Sequence, residues 1–237
     1  MKPKRGQVTI FIIVAIVIIA MVAVIFYFSG GIKKAVDANA ESANTFILDC
    51  LEKTGENAIK EIGNQGGYFL TLKGVGNAPY YLQGEKESVP SKEEIESEIS
   101  LFVREELSYC ILNFKDFRTQ FDEIEHEVKS VETNILEDGV KVTLDYPVTL
   151  SKGESVSVIK DFSLTIPVRV NDYYLVSQEI VATHKTNPGS ICLSCLYDWG
   201  KEYNVYIDLM DYGEATIFTI MDKDESKEAY EWRFAIK

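Results

Sequence analysis

Residues 140–150 read VKVTLDYPVTL. Val140, Val142, Leu144, Tyr146, Val148 and Leu150 occupy every second position, with polar residues between most of them. A period of two places all six on one face of a strand, and no helix can do so. The intervening Lys141, Thr143 and Asp145 give that strand a wet side, as in antiparallel sheets that cover a core on one face only. The stretch from Val128 to Leu136 precedes this run, and Phe162, Leu164, Ile166, Val168 and Val170 repeat the period after it. Asp138-Gly139 and Lys152-Gly153 lie between the runs and are turn-forming pairs. The pattern predicts an antiparallel meander. Pro147 and Pro167, having no N–H to donate, are expected at edges or bulges.

Outward from the meander the spacing becomes helical. Ser91 is an expected N-cap, with Glu94 completing a capping box, and Ile95, Ile99, Phe102, Val103, Leu107, Cys110, Ile111 and Phe114 form one apolar stripe. Val36, Ala40, Ala43, Ile47, Leu51, Thr54, Ala58 and Ile62 form another, which Gly63 and Gly66-Gly67 should end. Tyr68 to Val89 reads as strand and loop. Asp172 to His184 is helical, Pro188-Gly189 breaks it, and Ser190 to Tyr203 is a short helix. Strands are expected near Ala215–Met221 and Ala229–Ile236, where Tyr230, Trp232, Phe234 and Ile236 alternate. The expected fold is α+β: an N-terminal transmembrane helix continuing into an amphipathic helix, then an antiparallel meander sheet packed with helices. The expected division is an anchor, 1–29, and one extracytoplasmic domain, 30–237.

The anchor rests on Val8 to Phe28, VTIFIIVAIVIIAMVAVIFYF, which holds no charge, proline or glycine. As a helix it would span about 31 Å, the thickness of a bilayer core. Phe26, Tyr27 and Phe28 stand where an interfacial aromatic belt belongs. Lys2, Lys4 and Arg5 precede the run; Lys33 and Lys34 follow it and are soon offset by Asp37 and Glu41. The positive-inside rule therefore puts the N-terminus in the cytoplasm and the rest outside, a single-pass signal anchor in the cell membrane. Gly30-Gly31 is an expected hinge. Ala38-Asn39-Ala40 has the small-x-small form of a secretory cleavage site but lies too far beyond the run to serve as one.

Lys4-Arg5-Gly6-Gln7-Val8-Thr9, followed at once by the apolar run, resembles the class III signal peptide of archaeal type IV pilin-like proteins. That resemblance implies cleavage between Gly6 and Gln7 on the cytoplasmic side, with the helix left attached. Phe11 stands where pilins have a glutamate that pairs with a neighbouring subunit's amine, so the resemblance implies processing more than filament assembly. The order of RGQVTIFII, the Cys50 helix ending in Gly66-Gly67-Tyr68, the Cys110 helix, the meander and the terminal Trp232-Arg233-Phe234-Ala235 strand also resembles uncharacterised membrane-anchored envelope proteins of small-genome archaea. It implies an envelope location and no activity.

The chain carries a net charge of −13, which repels phosphate backbones and makes nucleic acid an improbable partner. The expected partners are the lipid bilayer, another envelope protein, or a second copy through the N-terminal helix. The four cysteines all follow the anchor, as suits an oxidising compartment. They allow three pairings. Cys50 and Cys110 sit on or beside stripes that should face one core, so a bridge between them is expected, with buried free thiols as the alternative. Cys192-Leu193-Ser194-Cys195 is a CxxC that reads as a structural bridge; the competing reading is thiol–disulfide exchange, with Cys192 in a helix's first turn.

No further catalytic constellation is visible. His126 and His184 are far apart in sequence, Gly74-Val75-Gly76 lacks the third glycine of a dinucleotide loop, and no zincin, nucleophile-elbow or P-loop motif occurs. Acidic pairs such as Glu93-Glu94, Glu105-Glu106 and Asp222/Asp224 read as solvated faces. Asp222-Lys223-Asp224-Glu225 lacks the EF-hand pattern. No cofactor or metal is expected, and the expected function is non-enzymatic binding at the cell envelope.

Overall fold

The computed structural model describes residues 5–70, 74–223 and 230–237, with side chains from 13–22 and, within those ranges, from residue 39 onward. Helix α1, Arg5–Asn64, is continuous. The helix passes through Gly30-Gly31, the pair that can act as a hinge, without a break. Of the Val8–Phe28 run, the side chains of residues 13–22 are described, and all are exposed. Val8, Phe28, Gly6 and Gln7 have backbone within α1, but their side chains lie outside the described residues. Among the described residues no helix is long and apolar enough to cross a membrane. From Ala40 the same helix is part of the core, and Ala43, Ile47, Leu51, Thr54, Ala58 and Ile62 are all buried. It ends where Gly66 and Gly67 take positive φ.

Strands β1 (Gly74–Val75), β2 (Ala78–Gln83) and β3 (Lys86–Glu87) follow. Helix α2, Lys92–Ile111, begins at a complete capping box: Ser91 Oγ accepts from Glu94 N, and Glu94 Oε2 accepts from Ser91 N at 2.6 Å. It runs back along α1, since Ile95 lies beside Gly67 while Cys110 meets Cys50. The apolar stripe does not stay helical to Phe114. Leu112, Asn113 and Phe114 all have φ near +50°, a left-handed turn that costs backbone strain in non-glycine residues and still buries Phe114 completely. Its ring is packed by Phe46, Phe117, His126 and Tyr146, which hold the turn in place.

The meander consists of three bent ribbons: β4 (Glu123–His126) with β5 (Ser130–Ile135), β6 (Val140–Asp145) with β7 (Val148–Lys152), and β8 (Ser155–Ile159) with β9 (Phe162–Ile166). The central ribbon pairs on both sides, β6 between β5 and β9, β7 between β4 and β8, all antiparallel. The register slips by one residue on each side at Tyr146-Pro147, opposite 127–129 and opposite Lys160-Asp161, where Asp161 has φ +60°. Pro147 thus marks the bend that wraps the sheet around α1 and α2. The third run ends at Ile166; Val170, expected in the strand, opens helix α3, Val170–Thr186. Helix α4 is Leu193–Glu202.

Strands β10 (Val205–Tyr212), β11 (Ala215–Asp222) and β12 (Glu231–Ile236) complete a second sheet in the order β1-β2-β12-β11-β10, with β3 on β2. Two features differ from the sequence expectation. β10 is an additional strand, and β12 pairs with β2 in parallel, Ala235 opposite Tyr80, so the sheets are antiparallel apart from this one pair. One buried cluster joins α1, α2, α3, the meander and the inner face of this sheet. Its polar centre is Tyr81, whose hydroxyl donates to Gly66 O at 2.8 Å and accepts from Trp232 Nε1 at 3.2 Å. Burial pushes the Tyr81 hydroxyl pKa well up, so it stays a donor.

Candidate functional site

The two helices that carry Cys50 and Cys110 bring their α-carbons to 5.6 Å, and the sulfurs are bonded at 2.08 Å across a sequence separation of 60. Cys50 is buried and Cys110 half-buried, so the bridge lies at the edge of the core. It ties α1 to α2 two residues before the left-handed turn. This pair staples architecture and offers no open sulfur.

Cys192 and Cys195 are bonded to each other at 1.97 Å. Pro188-Gly189-Ser190 does not open the helix; Cys192 is its N-cap rather than a first-turn residue, and its Sγ accepts from Cys195 N at 3.3 Å. Ser194 Oγ lies 3.5 Å from the same sulfur. Both cysteines are half-buried, beneath exposed Leu193 and Ser194. The helix follows α3 and leads into antiparallel β10, so no parallel strand and no βαβ unit surround the CxxC. His184, near the end of α3, borders the space against Cys192 and also lines a neighbouring cavity of about 520 Å³ beside Ile191, Glu85, Glu214 and Lys237. That cavity already contains opposite charges: Lys237 Nζ pairs with Glu214 at 2.6 Å.

His126 is packed on Phe114, and its Nδ1 lies 2.9 Å from Tyr146 Oη. Burial lowers its pKa, so the neutral ring is favoured. The two histidines belong to different regions and form no joint site. Among the described residues no group of three or more His, Cys, Asp or Glu is placed to hold a metal ion.

Asp222 is not a solvated acid. Arg169 Nη2 donates to its Oδ1 at 2.9 Å and Nε to its Oδ2 at 3.2 Å, a bidentate pair. Arg169 Nη1 also reaches Asp172 Oδ2 at 3.0 Å and Tyr203 O at 2.8 Å, and Nη2 reaches Asn204 O at 3.1 Å. One guanidinium therefore fixes the start of α3, the α4–β10 link and the end of β11. Burial outweighs the nearby cation at Asp172 and raises its pKa. Asp224 and Glu225 lie outside the described residues.

The arginine cluster sets the position of a surface that the sequence reading missed. On β10, Tyr206, Asp208, Met210 and Tyr212 are exposed, while Ile207 and Leu209 pack on the core. α4 adds exposed Leu193 and Tyr197. The available signal was the alternation in VYIDLMDY, residues 205–212, which Met210 and Asp211 make weak. In comparisons with known proteins, the chain matches no family profile, no curated protein and no solved structure.

Proposed function

We propose that the chain is a single-pass membrane protein whose N-terminus is cytoplasmic and whose body, residues 30–237, is held outside as a non-enzymatic binding component of the cell envelope. The observation that carries this reading is that the uncharged Val8–Phe28 run heads the same unbroken helix that enters the core at Ala40. Water is a poor environment for such a run, and a bilayer core matches its length of about 31 Å. The flanking cations give the orientation. Two cysteine pairs in the body suit an oxidising exterior. Alkaline carbonate extraction tests the anchor. The expected result is wild-type chain retained in the membrane pellet and an Ile16→Arg, Ile19→Arg variant released. Release of wild type would overturn the reading. Protease added to intact spheroplasts should remove the body, and full protection would overturn the orientation.

A pilin-like subunit processed between Gly6 and Gln7 is the second reading, favoured by the continuity of α1 from the exposed residues 13–22 into the body. It predicts native protein beginning at Gln7; an intact mass that retains all six leading residues removes it. Thiol–disulfide exchange is a third, favoured by the N-cap position of Cys192. Equal insulin reduction by wild type and Cys192→Ser would exclude it.

A further inference from the structure

We propose that the open edge of β10 is a docking site for an extended, basic segment of another protein, added to the sheet as a further strand. The inference rests on reading the body as a binding module.

β10 is an outer strand of its sheet and is eight residues long. Among the described residues the other sheet edges are shorter, and several pack against a helix. β1 and β3 are two residues each and β4 is four. α2 packs on β5, and Glu96 Oε1 accepts from Ile135 N at 2.8 Å, satisfying that edge from the helix. β8 and β9 run against α1.

The hairpin fixes which backbone groups face outward. Tyr212 pairs with Ala215 across the two-residue Gly213-Glu214 turn, so Tyr212, Met210, Asp208 and Tyr206 bond to β11. The N–H and C=O groups of Ile207, Leu209 and Asp211 then point away from the sheet. No backbone partner meets them among the described residues. At the Val205 end the edge is closed by α4, where a Cβ on Gly200 would lie 3.0 Å from Val205 O. The available ladder therefore runs from Ile207 to the turn.

Side chains give the chemistry of the occupant. The outer face of β10 presents Tyr206, Asp208, Met210 and Tyr212, with Asp211 exposed beside the edge. Two rings of this region already carry ammonium groups of the chain itself, Lys223 Nζ at 5.5 Å over Tyr206 and Lys201 Nζ at 5.6 Å over Tyr197. A second copy is a poor occupant, because self-pairing would bring together two chains of net charge −13 along a strand that itself carries Asp208 and Asp211. A strand alternating Lys or Arg with apolar residues fits both faces: its cations meet Asp208 and the Tyr212 ring, and its apolar residues extend the half-buried row of Ile207 and Leu209.

The test uses the full-length chain in phosphatidylcholine nanodiscs and a fluorescent octapeptide of alternating lysine and valine. Three controls accompany it: a glutamate–valine octapeptide, a lysine–valine octapeptide N-methylated along one edge, and the variant Asp211→Pro. That variant removes an outward N–H while leaving the β11 ladder its donors. The expected result is saturable binding of the lysine–valine peptide alone, weakened about tenfold or more by Asp211→Pro and by Asp208→Lys. Hydrogen exchange across β11 verifies that the variants are folded. Equal binding of the N-methylated peptide would reduce the surface to a charge effect and overturn the proposal. Absence of binding would make the aspartates a guard against edge pairing, and self-association of the free chain would make a second copy the occupant; either overturns it too. Carbonate extraction reads the anchor independently, so failure here leaves that result standing.

Discussion

Gly63 sits in the last turn of α1 with a Cβ position 2.5 Å from Glu231 O, a backbone atom at the start of β12. Helix propensity alone says that Gly63→Ala should stabilise by about 1 kcal/mol. The close approach reverses the sign, because neither helix nor strand can yield without disturbing Trp232 and Tyr81. The expected net effect is a loss of about 1–3 kcal/mol in denaturant unfolding, and a stabilised variant would show the contact to be loose. From the sequence Gly63 was legible only as a helix stop, since the close approach belongs to a strand far along the chain. His126 makes a second residue-scale prediction. Its pKa is lowered from 6.5 by burial, so the unfolded chain takes up a proton at higher pH than the folded one. Its contribution to stability is complete above 6.5 and is lost as pH falls through and below that value. Nδ1 lies within hydrogen-bond distance of the Tyr146 hydroxyl, and which of the two donates depends on the ring's tautomer. Unfolding midpoints measured between about pH 7 and 5 should fall less steeply for His126→Gln than for wild type; parallel slopes would remove His126 as the cause.

At the scale of elements, local chemistry was readable and long-range pairing was not. The Ser91–Glu94 box and the α2 stripe through Ile111 are written in spacing, as are the meander's runs and turns. So is the burial of Ala40, Ala43, Ile47, Leu51, Ala58 and Ile62 on one face of α1. The parallel contact of β2 with β12 is not legible, because its ends are separated by most of the body and no local pattern distinguishes parallel from antiparallel partners. β10 was missed because Met210 and Asp211 interrupt its alternation, an apolar residue standing outward and an acid in the inner row. The Arg169 cluster was missed because its four carboxyl and carbonyl partners lie on three separate stretches of chain. The Cys50–Cys110 bridge spans two elements, and its energetic role follows from loop length. Closing a loop of 60 residues is worth about 4 kcal/mol in the chain-entropy model. Reduction should therefore lower the thermal midpoint by about 10 °C for a body of this size, with Cys192→Ser, Cys195→Ser background isolating the long bridge. No shift in that background would mean that α1 and α2 are held by packing alone.

For the whole molecule, the decisive question is whether the body is hinged to its anchor or carried on a rod. α1 is unbroken from Arg5 to Asn64, about 90 Å of helix. Among the described residues its first buried side chain is Ala40, about 18 Å along the helix from Phe28. Two glycines in that stretch oppose continuity, costing about 2 kcal/mol together relative to alanine. Against them stand a helix already nucleated on the body side by the packed face from Ala40 onward, where extension by each residue adds a hydrogen bond. If the anchor proposed above holds, continuity would make the body's orientation relative to the bilayer a property of the fold, and the Cys50–Cys110 bridge would extend it to α2. Trypsin reads this directly, since Lys33 and Lys34 lie between the glycines and the core. In nanodiscs, cleavage there should be slow compared with cleavage of the same segment as a free peptide, and a Gly30→Ala, Gly31→Ala variant should slow it further. Cleavage as fast as in the peptide, abolished by the double alanine variant, would put a joint at the glycine pair and leave the body free to swing about it.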